Sequence, residues 1–288
     1  MIKKKVTKIF AAFMMTAVLF SSVGIDVHAA STRVTMRESE PNNTKEAAEL
    51  IEANSETAYS LVEGTLSGRF EVDGNTSETD PDWFKVYLDA GTQYMTCYIE
   101  PFSFLIEDEV GNVLLNDIYT YADTARFGRT AYGFNVPKSG YYYVKILGCD
   151  SSSKQYEFTV GGPIYDVSRC EIPCNEGMVN MTSSVKMKTV HFQGVESDTM
   201  PKDAIAYYVR LSGVKSQAIK SARLTNEKSG LSVELSKYSW RKDKLASMNM
   251  KVESMWTAKL EYNETTSFTP VLEVLYAYPV YSTMIQRR

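Results

Sequence analysis

Residues 83–88 alternate strictly between two kinds of side chain, and this pattern constrains the fold more than any other feature. The two sets are Phe84, Val86 and Leu88 on one face, and Trp83, Lys85 and Tyr87 on the other. A period of two places successive side chains on opposite faces of a β-strand. Ala90-Gly91 turns the chain, and residues 93–100 form a second alternating run. The segment is therefore predicted to be a half-buried strand that begins a hairpin.

The same pattern of short runs and turn residues recurs along the chain, so the predicted fold class is all-β. Strands are predicted at 61–66, 83–88, 93–100, 104–107, 113–115, 131–136, 141–147 and 155–160, with a polar loop at 67–79. Later strands are predicted at 185–192, 204–211, 221–225, 231–235, 248–253, 258–262 and 271–278. Short strands separated by turn signals at this spacing are typical of β-sandwiches.

Two β-sandwich domains are predicted, because 288 residues are enough for two domains of ordinary size. Gly161-Gly162-Pro163 has the composition of a linker, which gives domains at 30–162 and 163–288. The first domain is expected to be jelly-roll-like with a short N-terminal helix at 45–53. Asn43 would cap this helix, and Glu46 would complete a capping box.

The first 29 residues have the pattern of a secretory signal peptide. Four lysines precede an apolar run at 9–19, and Val27-His28-Ala29 fits a cleavage site. An uncleaved anchor is the alternative, but the apolar run is short for a bilayer span. Removing residues 1–29 takes away four lysines and one aspartate, so the net charge of −4 becomes −7. We therefore expect a secreted protein with no attraction to nucleic acid and no membrane insertion after signal removal.

All four cysteines lie beyond the signal peptide, and an even count in an exported chain permits disulfides. Pairing within each domain favours Cys97–Cys149 and Cys170–Cys174. Four reduced thiols are the alternative.

Four motifs of the first domain follow one another in an order that resembles a known family. They are Glu40-Pro41-Asn42-Asn43-Thr44, Glu63-Gly64-Thr65-Leu66, Asp80-Pro81-Asp82-Trp83-Phe84-Lys85-Val86, and Pro137-Lys138-Ser139-Gly140-Tyr141-Tyr142-Tyr143-Val144, closed by Tyr156-Glu157-Phe158. Residues 38–161 resemble the bacterial pre-peptidase C-terminal (PPC) domain family. These secreted β-sandwiches are similar to the collagen-binding domains of clostridial collagenases. Residues 163–288 resemble no family that we can name.

The resemblance implies a calcium site in the first domain. By motif position its ligands would be Glu38, Glu40, Asn42, Asn43 and Asp82, with Asp80 nearby. Calcium takes six to eight oxygen ligands from carboxylates, amide carbonyls and backbone. This chain has Asn43 where the family has an acid, which removes one charge and should weaken binding. The alternative is a helix cap beside a solvated acidic loop.

Collagen binding is not implied as strongly as the calcium site. Collagenase-type members bind through aromatic residues on the strand after the Pro-Ser-Gly turn. Here Tyr141, Tyr142 and Tyr143 are followed by Lys145 and Leu147, so the tyrosines are equally consistent with ordinary strand packing.

No catalytic motif is recognisable in the sequence. Once the signal peptide is removed, His191 is the only histidine, and it lies within a predicted strand. A zinc site would need Cys170, Cys174 and His191 together, which is a weak pattern. We therefore expect a non-catalytic binding or accessory protein that recognises an extracellular protein or polysaccharide. The alternatives are a structural surface component and a secreted hydrolase whose carboxylates come from Glu234, Asp243, Glu253 or Glu261.

Overall fold

The computed structural model describes residues 33–64, 68–120, 130–182, 186–194 and 200–280. The predicted signal peptide at 1–29 lies outside these residues. The described chain is built almost entirely from β-strands, which confirms the all-β prediction. No helix in the described ranges is long and apolar enough to span a bilayer.

Ten strands, together with one helix described below, form the N-terminal half, here called the first sandwich. They are β1 (Val34–Arg37), β2 (Glu49–Ile51), β3 (Phe70–Thr76), β4 (Asp82–Leu88), β5 (Gly91–Ile99), β6 (Phe102–Glu107), β7 (Val113–Tyr119), β8 (Thr130–Val136), β9 (Gly140–Gly148) and β10 (Lys154–Gly161). One five-stranded sheet has the order β1-β3-β10-β5-β8, and the other has the order β2-β4-β9-β6-β7. The two sheets enclose one apolar core.

The alternation in β4 produces the two faces that the sequence predicts. Phe84, Val86 and Leu88 are completely buried between the sheets. Phe84 contacts Phe158 of the opposite sheet, with ring centroids 5.4 Å apart. Trp83, Lys85 and Tyr87 point to the outside of the sheet, because neighbouring side chains of a strand face opposite ways.

Ten further strands form the second sandwich. They are β11 (Tyr165–Pro173), β12 (Val179–Met181), β13 (Met187–Phe192), β14 (Ile205–Ser212), β15 (Ile219–Asn226), β16 (Leu231–Glu234), β17 (Arg241–Lys242), β18 (Trp256–Tyr262), β19 (Thr266–Phe268) and β20 (Val271–Pro279). Two four-stranded sheets, β11-β20-β14-β17 and β13-β18-β15-β16, enclose a separate core, and β12 pairs with β19. The largest side chains of this core are Trp240 and Trp256.

The predicted helix at 45–53 is wrong. Only a single 3₁₀ turn forms, at Lys45–Ala47, and its cap is Thr44 rather than Asn43. The Thr44 hydroxyl accepts a hydrogen bond from the backbone N–H of Ala47. The chain then enters β2, which pairs in parallel with β4 and buries Ile51. Tertiary pairing at the sheet edge thus overrides a local helical preference.

Two neighbouring predictions are also wrong. Residues 61 and 62 of the strand predicted at 61–66 belong instead to helix α1 (Ala58–Val62), which begins with a capping box between Thr57 and Ser60, and residues 65–66 lie outside the described residues. The polar loop predicted at 67–79 contains β3, which pairs in parallel with β1. The sequence of β3 resembles a loop because it is rich in polar residues. Two of these, Glu71 and Thr76, are nevertheless buried together with Val72.

In the second sandwich, the strand predicted at 248–253 is absent. The chain there forms a 3₁₀ turn at Ala246–Met248 and a bend that follows it. Met250 and Val252 are nevertheless completely buried. Between them, Lys251 forms an isolated β-bridge with Ile205, so the apolar alternation here indicates burial beside a single bridge rather than a continuous strand.

The sheets change at the glycine-rich segment that the sequence predicted as a linker, but this segment is not loose. Gly161 ends β10, and Asn54 donates side-chain hydrogen bonds to the carbonyl oxygens of Gly162 (2.7 Å) and Pro163 (2.9 Å). Asn54 also exchanges backbone hydrogen bonds with Val160 and Gly162. The junction between the sandwiches is therefore fixed by a side chain from the first.

A buried ion pair adds a second tie at this junction. The Glu56 carboxylate, whose side chain is inaccessible to solvent, accepts hydrogen bonds from Arg69 and from the backbone N–H of Tyr165. Arg69 in turn donates to the carbonyl oxygen of Tyr165 at 2.6 Å. Beside the pair, Ala58 and Leu61 of α1 pack against Ala277 of β20. Polar and apolar contacts thus join the two sandwiches.

The structure contradicts both predicted disulfides. Cys97 lies inside the first core on β5, whereas Cys149 is exposed after β9, which belongs to the opposite sheet. Cys170 and Cys174 are four residues apart along an extended strand, which separates them by about 13 Å. Bridged cysteines have Cα atoms about 4.4–6.8 Å apart, so Cys170 and Cys174 cannot close a bridge.

We predict that Glu56→Gln lowers the free energy of unfolding by about 3 kcal/mol, because the Arg69 charge would remain buried without its counter-charge. Urea titration of the full chain measures this loss. Glu109→Gln is the control, since Glu109 is exposed and only its backbone carbonyl accepts a hydrogen bond. Equal stability of the two variants would show that the pair does not hold the junction.

Candidate functional site

Three carboxylates converge at one edge of the first sandwich, and we call them the acidic cluster. Glu38, Glu40 and Asp82 each bring a carboxylate oxygen to within 4.8 Å of the others. It is the only group of three or more His, Cys, Asp or Glu side chains placed to hold a metal within the described ranges. Glu38 follows β1, and Asp82 begins β4. Two strands from different sheets therefore build the site.

Backbone contacts fix these carboxylates in place. Glu38 donates its N–H to the carbonyl oxygen of Asp73, which extends the ladder between β1 and β3. Trp83 donates its N–H to the carbonyl oxygen of Asn42, which ties the N-terminal segment to β4. The segment 38–42 is thus held against both sheets.

Glu38 is the most completely bonded member of the cluster. One of its oxygens accepts a hydrogen bond from the Tyr156 hydroxyl, and the other accepts from the backbone N–H of Asn75 at 2.7 Å. Burial nevertheless raises the pKa of Glu38, because desolvation outweighs these hydrogen bonds. A Cβ atom on Gly74 would lie 2.3 Å from both Glu38 and the Tyr156 hydroxyl. Only glycine fits beside this contact.

Asp82 is completely buried, and its Oδ2 atom has no hydrogen-bond partner among the described residues. Burial, reinforced by the charge of Glu38, raises the pKa of Asp82 from its ordinary 3.8 to about 8. Because one oxygen of this buried carboxylate lacks a donor, Asp82 favours a bound proton or a bound cation, either of which removes the uncompensated charge.

The side-chain amide of Asn42 lies beside the carboxylates of Asp82 and Glu40. One end of this amide lies 3.3 Å from Asp82 Oδ1 and 3.2 Å from Glu40 Oε2. If that end is the NH₂ group, it donates to both carboxylates. If that end is the oxygen, it joins the carboxylates in an all-oxygen shell, which is the arrangement that surrounds a hard cation. Asn42 can therefore serve the site with or without an ion.

The structure brings Glu38, Glu40, Asn42 and Asp82 together but leaves two predicted ligands beside the cluster. The Asn43 amide donates to Asp80 Oδ1 at 2.6 Å, so these two side chains pair with each other. Asp80 is not a member of the cluster, but its negative charge helps to raise the pKa values of Glu38 and Asp82.

The outside of β4 and β9 carries aromatic and lysine side chains, which we call the outer platform. Its members are Trp83, Lys85, Tyr87, Tyr141, Tyr143 and Lys145. The sequence pattern is consistent with either strand packing or ligand binding by these tyrosines. Tyr142 points the other way, is nearly buried and donates to the Lys138 carbonyl at 2.7 Å.

Lysines and rings alternate across the platform. The ammonium nitrogen of Lys85 lies 4.7 Å from the ring centroid of Tyr141, and that of Lys145 lies 5.5 Å from Trp83. Tyr87 and Tyr141 make an edge-to-face pair 5.5 Å apart, and about half of each side chain is exposed. A hollow of about 180 Å³ adjoins Lys145 between Leu105 and Leu147. The pattern offers apolar ring surface and cationic donors together.

The residues considered for zinc do not assemble as the zinc hypothesis requires. The Glu176 carboxylate lies between Cys174 and His191. It accepts a hydrogen bond from the Cys174 thiol at 3.1 Å, and its other oxygen lies 2.6 Å from His191 Nδ1. Burial and the hydrogen bond to Glu176 raise the pKa of Cys174 to about 11, which disfavours the thiolate that zinc needs. Burial acts to raise the pKa of Glu176, but its hydrogen bonds from His191 outweigh burial and lower it to about 2.

The carboxylates named for the hydrolase alternative are dispersed on the second sandwich. Glu234 pairs with Arg223, Glu253 with Lys228, and Glu261 with Lys220. Asp243 follows β17 and is exposed.

Comparison with known proteins adds one likeness of fold. No protein-family model matches the chain, and no curated protein matches it. A crystal structure described as "a putative secreted protein from Eubacterium rectale" matches with a TM-score of 0.51 and 10% identity, over 90% of this chain and 84% of that one. This likeness concerns the fold alone.

Two other solved structures match weakly. The PBSX exported protein XepA has a TM-score of 0.24 and 13% identity, with 71% of this chain and 84% of that chain covered. The major capsid protein P2 of bacteriophage PM2 has a TM-score of 0.22 and 9% identity, with 73% and 98% covered. These scores are too low to carry an argument.

We predict that the metal-free protein loses stability as the pH rises from about 4 to about 8. The folded state holds a proton on Asp82 more tightly than the unfolded state does, so deprotonation disfavours folding over this interval. Melting temperatures in chelator at pH 5 and pH 8 test this, and Asp82→Asn should flatten the decline. Asp89→Asn, an exposed change at the other end of β4, should leave it intact. An identical decline in wild type and Asp82→Asn would contradict the assignment.

Proposed function

We propose that this protein is an exported, non-catalytic binding protein that holds an extracellular polysaccharide on the outer platform. The observation that carries the proposal is the alternation of rings and lysines across β4 and β9, in which Tyr87 and Tyr141 are about half exposed, Trp83 is partly buried and Tyr143 is buried. The sequence supports export through its predicted signal peptide, and it supports a PPC-type first sandwich through the motifs at 38–161.

The chemistry of the platform favours a polysaccharide over a protein partner. Aromatic side chains offer apolar surface with little conformational entropy to lose, and the C–H faces of sugar rings can pack on them. Lys85 and Lys145 place ammonium donors beside those rings for hydroxyl or carboxylate oxygens. The platform is an open sheet surface rather than a closed pocket, which suits a long chain that passes across it.

We also propose that calcium stabilises the first sandwich through Glu38, Glu40, Asn42 and Asp82. These residues fit the ion, because Asp82 Oδ2 has no partner in the described chain and three carboxylates converge without a basic side chain among them. A bound calcium would supply positive charge that lets Asp82 stay ionised while buried. It would also hold segment 38–42 against the start of β4, directly before Trp83.

We predict that calcium raises the melting temperature at pH 8 and that Asp82→Asn and Glu40→Gln abolish the rise. Extracellular calcium sites bind at about 0.1–1 mM. At ten times the dissociation constant the gain is about 1.4 kcal/mol, or about 3–6 °C for a chain of this size. Magnesium should stabilise less, because it resists loss of its water.

The same variants supply the control for calcium. Asp82→Asn should be at least as stable as wild type in chelator, since it removes a buried charge, so loss of the calcium response is not a failure to fold. Asp89→Asn should respond like wild type. A wild-type melting temperature that is the same in millimolar calcium and in chelator would remove calcium from the proposal.

We predict that Trp83→Ala and Tyr141→Ala each weaken polysaccharide binding by tenfold or more, because each removes an apolar ring surface from the platform. Affinity electrophoresis of the full chain through gels that contain acidic or neutral polysaccharides measures binding. A reducing-sugar assay on the same mixtures should detect no turnover. Tyr59→Ala is the matched control, since Tyr59 is about half exposed but lies on α1.

Three outcomes would contradict this function. The first is equal retention of Trp83→Ala, Tyr141→Ala and wild type. The second is binding to extracellular proteins but to no polysaccharide, which would change the partner class. The third is release of reducing ends, which would favour the hydrolase alternative.

A further inference from the structure

The second sandwich carries a groove of about 290 Å³ on the outside of β14, which we call the arginine groove. Its lining includes six polar or aromatic side chains: Tyr208, Arg210, Ser212, Tyr238, Ser239 and Arg241. Tyr208, Arg210 and Ser212 share one face of β14 because they alternate with the buried Val209 and Leu211. The other three come from the segment that leads into β17 and from β17 itself.

Two arginines stand directly opposite each other in this groove. Arg210 of β14 is the ladder partner of Arg241 of β17. Like charges at directly opposed positions of a sheet repel and reduce its stability. Glu273 lies 3.6 Å from Arg210 on the far side, but no acidic side chain of the described residues forms an ion pair with Arg241. The positive charge is therefore only partly compensated within the fold.

The segment that carries Tyr238 is held in an unfavourable backbone conformation. Tyr238 and Trp240 have φ values of 74° and 47°, in the left-handed region that favours glycine. Residues held in this region persist only where their surroundings enforce it. Here the side chain of Trp240 is buried. Its backbone N–H donates to the Ser236 carbonyl, and its backbone carbonyl accepts a hydrogen bond from the N–H of Leu211.

This backbone anchoring places an exposed aromatic ring in the lining of the groove that holds the paired arginines. About three quarters of the Tyr238 side chain is exposed, and the Lys237 ammonium lies 5.2 Å from its ring centroid. Neither burial nor core packing requires a tyrosine at this position. Its fixed place next to two cations suits contact with a ligand.

We propose that the arginine groove binds one anionic sugar unit, with its carboxylate or sulfate group between Arg210 and Arg241. Guanidinium groups bind carboxylates and sulfate-like anions through paired N–H donors, and a bound anion would also relieve the repulsion between the two arginines. Tyr208 and Tyr238 supply ring surface for the apolar face of the sugar. Ser239 supplies a hydroxyl donor for the sugar oxygens, whereas the Ser212 hydroxyl, which donates to the Val271 carbonyl, can accept from a sugar hydroxyl.

The size and place of the groove support a single unit. Its volume lies at the lower end of the range for small-molecule sites. The inference rests on the proposed function in taking a sugar as the ligand. It uses residues of the second sandwich only, so it can fail or stand independently of the outer platform.

Calorimetric titration of the full chain with glucuronate, glucose 6-sulfate, glucose and inorganic sulfate tests the proposal. We expect millimolar binding of at least one anionic sugar, weakened by added salt, and at least tenfold weaker binding of glucose and inorganic sulfate. The stronger of the two anionic sugars identifies carboxylate or sulfate as the recognised group. Arg210→Ala and Arg241→Ala should each weaken binding at least tenfold, and Tyr238→Ala severalfold.

The melting temperature separates a binding role from a structural one. Arg241→Ala removes one of two opposed cations, so it should lose binding without a fall in melting temperature. Arg241→Lys should restore only part of the affinity, because an ammonium lacks the paired donors. Arg223→Ala, an exposed arginine change on β15, should bind like wild type.

The proposal is overturned if no anionic sugar binds, or if inorganic sulfate binds as tightly as the sugars and Tyr238→Ala has no effect. Trp83→Ala should leave sugar binding in the groove unchanged. Polysaccharide retention on the platform without any sugar binding in the groove would refute this inference alone. Sugar binding in the groove without platform-dependent retention would instead refute the platform function.

Discussion

A buried charge at the start of one strand sets the conditions for the whole first sandwich. Asp82 cannot be exposed without moving β4, because Phe84, Val86 and Leu88 fix the inward face of that strand in the core. The same register places Trp83, Lys85 and Tyr87 outside. The outer platform and the acidic cluster are therefore two results of one alternation. A proton on Asp82 would offset the cost of burying its charge, and the calcium ion proposed above would do the same while linking segment 38–42 to the strand.

The fold was predictable from sequence wherever one face of a strand is apolar and the other polar. β4, β5, β9 and β20 lie within two residues of their predicted bounds for this reason. The elements that the sequence did not predict correctly depend on other contacts. β2 and β3 owe their existence to partners distant in sequence, β4 for the first and both β1 and β10 for the second. In addition, β3 buries charged and polar groups that read as a loop. α1 depends on a local cap between Thr57 and Ser60 that the apolar pattern does not display.

The candidate site was predictable in part, through motif resemblance rather than periodicity. The motifs named Glu38, Glu40, Asn42 and Asp82, which the fold does bring together. They could not show that Asn43 and Asp80 pair with each other, because side-chain partners depend on the path of the backbone between them. The arginine groove had no sequence signal at all. Arg210 and Arg241 become neighbours only through the ladder between β14 and β17, and no local pattern encodes that register.

The hydrogen-bonded junction at Asn54 and Glu56 has a consequence for how the protein would engage a polymer. Because these side chains reach across to Gly162, Pro163 and Tyr165, the two sandwiches present their surfaces at one fixed separation. Two weak contacts on a rigid body act as one strong contact only when a single ligand is long enough to reach both, since the second contact then forms at high effective concentration. Such a molecule would distinguish chains by length as well as by chemistry. Fragments shorter than the spacing would exchange freely, whereas longer chains would be retained by avidity.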